Sequence, residues 1–290
     1  MAGTEKTVDV LLQQRFDEMT RAERQLANSL LENWPVSGLA SITAVAQRAG
    51  VSTPTVARMV KKIGFSGFPE FQEALRRELE ATISNPIAKH DRWAENAPDE
   101  HILNRFAETV VQNLRQTLLH IDAADFDRSC ALLADRERSI YIAGGRITYT
   151  LADYLFRHLQ MLRPDVTLMP TGANVWPHHL MDMEAGDVLL LFDIRRYENE
   201  LLKLAELAGE KGAEMILITD QWGSPVGKHV AHRFNCRIEV PSAWDSAASL
   251  LVVVETIIAE IQAATWQTTR ERMDALEDLF DKTRLFRKFS

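Results

Sequence analysis

The sequence predicts an α + α/β protein: an all-helical helix-turn-helix domain followed by a doubly wound, five-stranded parallel α/β/α sandwich. Three observations predict it. Apolar residues recur at helical spacing up to about residue 81, five short apolar runs alternate with helical stretches after residue 100, and the sequence between them has no sustained period. The expected organisation is a helical domain over 1–81, a linker over 82–99, the α/β domain over 100–266 and a C-terminal helix over 267–290.

The 290 residues are 46% hydrophobic and 8% aromatic, enough to build packed cores rather than a disordered chain. No apolar run approaches the roughly 20 residues of a membrane span. The start, MAGTEKTVDV, has neither the basic stretch nor the apolar core of a signal peptide, so a cytoplasmic protein with no membrane partner is expected. Cys130 is expected in a helix and Cys236 in a strand, both as buried free thiols, since two distant cysteines make neither a zinc site nor a cytosolic disulfide. No metal and no cofactor are expected.

In the helical domain, ERQLANSLLENW reads as one helix, and the helix-turn-helix follows from Ile42 to Phe68. Thr43 is a possible cap for its first helix, Val45, Ala46 and Ala49 form one apolar side, and Gly50 suits the tight turn. Val51 fills the corner. Ser52 or Thr53 can cap the second helix, Pro54 fits its first turn, and Val56, Met59, Val60 and Ile63 form its buried face. Phe68, Phe71 and Leu75 continue at helical spacing in FPEFQEALRRELEA.

Charge marks this motif. The chain carries −8 overall, yet between Ser41 and Phe68 the ionisable residues are Arg48, Arg58, Lys61 and Lys62, with no acid among them. A solvated helix face would account for the charge alone; with the turn geometry, it points to double-stranded DNA. Thr53, Thr55 and Arg58 are expected to face base edges in the major groove, and Lys61 and Lys62 to contact phosphate. Thr43, Ser52 and Ser66 complete the expected DNA-facing set.

Beyond TISNPIAKHDRWAENAPD, which reads as a linker, the helix ILNRFAETVVQNLRQTLLHI leads into the apolar runs SIYIAGG, DVTLMP, DVLLLFD, EMILITD and FNCRIEV. Stretches such as YTLADYLFRHLQML and ENELLKLAELAGEKG separate them as crossover helices. Ligands of such sheets bind beyond the carboxyl ends of the strands, which directs attention to four loops. Gly144, Gly145, Arg146 and Thr148 open a helix and offer amide and side-chain donors to an anion; a plain strand-to-helix turn is the alternative. Asp193, Arg195, Arg196 and Tyr197 form the second loop, whose arginines either grip an anion or pair with Asp193, Glu198 or another subunit. Thr219 and Ser224 lie in the third, and Ser242 begins the fourth, whose polar residues otherwise serve as a helix cap.

The segment GVSTPTVARMVKKIGFSGFPEF closely resembles the RpiR/MurR family of bacterial transcriptional regulators, through Gly50, Val51, Ser52, Thr55, Val56, Arg58, Gly64, Phe65, Gly67 and Phe68. Members of that family join the helix-turn-helix to a sugar isomerase (SIS) domain that commonly senses phosphosugars. The resemblance implies a regulator of catabolic genes that binds operator DNA as a homodimer or homotetramer and answers to a small anionic metabolite effector. The loops depart from the family pattern. Arg146 replaces the second glycine of G-x-G-x-S, and Asp193 to Glu198 replace the hydroxyl-rich S-x-S-G-x-T, whereas Thr219, Asp220, Ser224 and Pro225 keep the third loop.

Two other readings compete. In a SIS-fold sugar-phosphate isomerase, His178, His179, Glu184 and Glu255 would be available for proton transfer, although adjacent histidines on a loop are more often solvent-facing and no catalytic residue is assigned. In a ligand-free oligomerisation module, Arg195 and Arg196 would make subunit contacts. The terminal segment, with Met273, Leu276, Leu279 and Phe280 at helical spacing, is expected to dock on its own domain or on a partner subunit.

Overall fold

A computed structural model describes residues 7–31, 35–83 and 101–284. Contacts divide the chain into two compact units, 1–88 and 89–290.

The first unit is helical: α1 (Val8–Gln14), α2 (Arg21–Leu31), α3 (Ile42–Arg48), α4 (Thr53–Lys62) and α5 (Phe68–Ile83). Helix begins ahead of ERQLANSLLENW, the first helix read from the sequence. α1 is too short to display a period, but it buries Val8 and Leu12, and the Val8 N–H donates to Glu78 Oε1 on α5 at 2.6 Å. A capping box opens α2, where Thr20 N–H donates to Glu23 Oε2 at 2.8 Å. Ser41, not Thr43, caps α3: its extended backbone lets Oγ accept from Ala44 N at 3.2 Å, while Thr43 stands exposed inside the helix. Both α3 and α4 end on left-handed glycines, Gly50 at φ +62° and Gly64 at φ +109°, with Val51 N–H bonded to Ala46 O and Phe65 N–H to Val60 O. Val45, Val56, Met59, Val60, Ile63, Phe71 and Leu75 are buried in one core.

The second unit starts with α6 (Ile102–His120) and α7 (Ala123–Ala134), then runs β1 (Ile140–Gly144), α8 (Tyr149–Leu162), β2 (Val166–Leu168), α9 (Trp176–Asp182), β3 (Val188–Asp193), α10 (Asn199–Glu210), β4 (Glu214–Asp220), β5 (His232–Cys236), α11 (Ala248–Ala264) and α12 (Trp266–Thr283). All pairings are parallel, in the order β2-β1-β3-β4-β5. Alternate residues of β1 serve opposite faces: Tyr141 and Ala143 pack with Trp176 and Leu180 of α9 and with Leu201, Leu204 and Ala205 of α10, and Ile140 and Ile142 point the other way. On that other side, α11 buries Leu250, Val253, Val254, Ile257 and Ile261 at i, i+3, i+4, i+7 and i+11 and packs against α7 and α8. The order reverses between β1 and β3, so a crevice opens beyond the carboxyl ends of these two strands.

The expected linker lies almost wholly outside the described residues; α5 itself runs to Ile83, past the expected start at 82. Helix α12 docks on its own unit through its first turns, with Thr269 Oγ1 bonded to Leu162 O at 3.5 Å and Arg272 Nε to Gln160 O at 3.0 Å. Farther along, Leu279 is 55% exposed. Cys130 and Cys236 are buried free thiols on α7 and β5, and burial pushes the Cys130 thiol up to about 12 and raises Cys236 as well. No single helix among the described residues is long and apolar enough to cross a membrane.

Candidate functional site

Two surfaces carry the expected site residues, one in each unit. On the helix-turn-helix, Arg58 and Lys61 stand exposed on α4, Thr53 is half-buried at its start, and Thr43 is exposed on α3. The opposite side of α4 is the core face.

Four members of the expected DNA-facing set have other roles. Thr55 is buried at 6% exposure, because its hydroxyl turns back to Ser52 Oγ at 2.9 Å; it does not face outwards. Ser52 is the cap of α4, its Oγ accepting from Thr55 N at 3.4 Å. Lys62 reaches away from any outer ligand to Glu23 Oε2 at 2.6 Å and Glu18 O at 3.0 Å, closing α4 onto the capping box of α2. Ser66 donates both N–H and O–H to Glu70 Oε2, at 2.6 and 2.5 Å, which holds the Glu70 carboxyl below its usual range and leaves a negative group beside an expected DNA-facing residue.

The structure adds Arg21 and Arg24, which sequence reasoning passed over, beside Arg48. Arg21, Arg24, Gln25, Asn28, Ser29 and Arg48 line a depression between α2 and α3. Arg24 is braced by Phe16 O, Met19 O and Asp17 O and stacks on the Phe16 ring at 5.4 Å, and Arg48 bonds Ser37 O at 3.3 Å. Arg21 is exposed. The spacing of Arg21 and Arg24 along α2 carried the signal.

In the α/β unit the loops after β1 and β3 meet at the crevice. Gly145 N–H donates to Phe192 O at 3.1 Å and to Thr148 Oγ1 at 2.9 Å, and the Thr148 hydroxyl donates to Phe192 O at 2.8 Å. Thr148 is therefore a buried brace between loops, not an open ligand donor. Gly144 is required sterically, since a Cβ there would lie 2.8 Å from Tyr149 N. Arg146 is exposed, and its N–H donates to Glu198 Oε1 at 2.7 Å.

The second loop is built on buried carboxylates. Asp193 is 2% exposed and accepts from the Ser224 hydroxyl and from Glu198 N at 3.3 Å; burial raises its pKa to about 7. Asp220, fully buried, accepts from Arg195 N at 2.5 Å and the Tyr197 hydroxyl at 2.8 Å, and burial raises it to about 6. Burial likewise raises Tyr197 well above the usual phenol range, with Asp220 beside it adding to the effect. Thr219 donates to Asp193 O at 2.6 Å and accepts from Ser224 N at 3.1 Å. Asp193, Tyr197, Thr219 and Ser224 thus form a scaffold beneath the crevice, which corrects the expectation that they line it with open polar groups.

The two arginines part company. Arg195 neither grips an open anion site nor pairs with Asp193 or Glu198: its guanidinium side chain, 4% exposed, bonds Glu239 at 3.1 Å, approaches Asp245 Oδ2 at 3.4 Å and stacks on Trp222 at 4.1 Å. Arg196 is exposed and holds φ +67°, the left-handed conformation suited to the glycine of the family pattern at this position. Ser242 Oγ accepts from Trp244 N at 3.1 Å, a local turn, and Ser246 Oγ accepts from Ala248 N at 3.3 Å at the start of α11. His178 and His179 lie on α9 rather than in a loop, His178 exposed, while Glu255 on α11 accepts from the Tyr154 hydroxyl at 3.2 Å.

Comparison with known proteins gives a family for each of the two units. Residues 7–82 match the model described as the helix-turn-helix domain of the rpiR family, and residues 132–260 match the SIS domain. The chain is 28% identical over 225 residues to the HTH-type transcriptional regulator HexR of Pseudomonas aeruginosa, covering 75% of this chain and 74% of that one. An RpiR transcription factor sugar isomerase domain from Sphaerobacter thermophilus superposes with a TM-score of 0.57 at 18% identity, covering 62% of this chain and 99% of that one. NanR of Vibrio vulnificus, whose structure holds ManNAc-6P, superposes with a TM-score of 0.56 at 17% identity, covering 97% and 100%. With the rpiR-type helix-turn-helix in one unit and the SIS domain in the other, this chain belongs to the RpiR family of transcriptional regulators.

Proposed function

We propose that this regulator reads operator DNA through Thr53, Arg58 and Lys61 on α4 with Thr43 on α3, and that its SIS crevice senses a small anionic carbon metabolite to control catabolic genes. The DNA-reading assignment rests on α4, which buries Val56, Met59 and Val60 and leaves Arg58 and Lys61 exposed on the other side. Arg58 supplies a fork suited to base edges, and Lys61, a turn on, supplies a phosphate contact. Arg21 and Arg48 extend the positive surface. One helix-turn-helix contacts few base pairs, so a homodimer or homotetramer, acting in the cytoplasm, provides the affinity an operator needs.

For sensing, the observation with most weight is the placement of exposed Arg146 and Arg196 on the two loops that meet at the β1/β3 switch point. Anions favour such a position, and NanR, of the same fold, binds a phosphosugar. Effector binding alters operator affinity by favouring one of two arrangements of the protein. The test is release of bound operator by sugar phosphates, sugar acids and amino-acid-derived carboxylates, with thermal shift as a second readout. A hit that stabilises the protein and releases operator, with the response lost in Arg196→Ala, supports the reading. Unchanged operator binding and melting across all three classes rejects it.

A further inference from the structure

Glu198 immediately precedes α10, where its backbone N–H is held by Asp193 Oδ1 at 3.3 Å. Its side chain crosses to the other loop, where Oε1 accepts from Arg146 N at 2.7 Å. The same oxygen would lie 2.9 Å from a Cβ on residue 145, so the carboxylate approaches this backbone only because Gly145 has no side chain. A carboxylate of the protein therefore already occupies the amide at the entry to α8, a place where backbone N–H groups favour anions.

We infer that Glu198 is a built-in occupant of the anion position of the SIS crevice, and that it excludes phosphate esters there and selects a carboxylate effector bearing hydroxyl or ammonium donors. This inference rests on the reading of the crevice as the effector site. A phosphate dianion approaching Arg146 N meets a negative charge within hydrogen-bonding distance of the same amide, and like charges at that range repel. Arg195, the buried cation beside the loop, does not offset it. Its guanidinium is bound to Glu239 and Asp245, and the ends of β3 and β4 beneath carry Asp193 and Asp220. What the site offers is one carboxylate able only to accept, together with exposed Arg146 and Arg196. A monoanion can meet an arginine while its hydroxyl or ammonium group donates to Glu198.

The test compares the full-length parent with Glu198→Gln, using inorganic phosphate as the probe in isothermal titration calorimetry. Glutamine keeps the acceptor oxygen and removes the charge. The variant should bind phosphate at least tenfold more tightly than the parent. Equal binding by the two proteins, or binding by neither, overturns the inference. A melting curve and operator affinity matching the parent show that the variant is folded, and if Gln is not tolerated, Glu198→Ala is read the same way. Operator release separates the two readings: if no compound releases operator from either protein while Glu198→Gln gains phosphate binding, the sensing reading and the choice of effector fail, and the exclusion of phosphate by Glu198 stands. If a phosphosugar releases operator from the parent and phosphate binds both proteins equally, the reverse holds.

Discussion

Single side chains on α4 divide cleanly into those that hold the motif and those that face outwards. Arg58 and Lys61 have the same charge but different expected effects. Arg58→Ala should cost about 1–3 kcal/mol of specific operator affinity, whereas Lys61→Ala should weaken specific and non-specific binding alike and lower the salt slope by about 1. Titrating operator and random duplex at several salt concentrations separates them; an Arg58→Ala protein that binds operator like the parent is the contrary result. In the crevice, Arg195 is a structural cation. Its replacement by Ala should cost about 2 kcal/mol, less than the 3–5 of a fully buried pair because Glu239 is 37% exposed, and should appear as a lower melting temperature. This assignment could not be read from Arg195 and Arg196 in sequence, since the partners Glu239 and Asp245 lie more than forty residues away.

Elements were legible where their signals are local. Gly50, the Val56–Met59–Val60–Ile63 face and Pro54 specify a turn and a helix within a few residues, and the structure has both. The cap of α3 was misplaced because Ser41 and Thr43 are both acceptable in composition, and only backbone conformation separates them. Helix α1 displays no period because seven residues span barely two turns, and it is held by the bond from Val8 to Glu78 of α5 and by burial of Val8 and Leu12 in the shared core. Ser52 joins two levels, capping α4 and partnering the buried Thr55 hydroxyl. Ser52→Ala should therefore cost about 1 kcal/mol and speed amide exchange in the first turn of α4, leaving α11 unchanged. Unaltered exchange at Thr55 and Val56 would show that the cap contributes little.

At the scale of the molecule, the SIS unit buries acids that the protein must keep neutral or bonded. Burial raises Asp193 to about 7 and Asp220 to about 6, above their unfolded values near 4, so the stabilisation from their protonated forms is complete at low pH and fades as pH rises from about 4 through 7. The unit should thus lose stability on the order of a few kcal/mol from these groups between pH 5 and pH 8. Asp193→Asn should flatten that slope, as read from melting temperatures across the range; a slope equal to the parent's would remove Asp193 from the account. The sequence by itself determined the two-domain plan, the five strands and the helix-turn-helix, because period, caps and turn residues act over a few residues. It also located the crevice loops, which follow strands by rule. Only the tertiary structure decided which polar groups remain open: Lys62, Arg195, Thr219 and Ser224 are satisfied by distant partners, and Glu198 lies on the amide of Arg146. A hydrogen bond between residues fifty positions apart leaves no periodic trace in the chain, so it is settled when the elements pack.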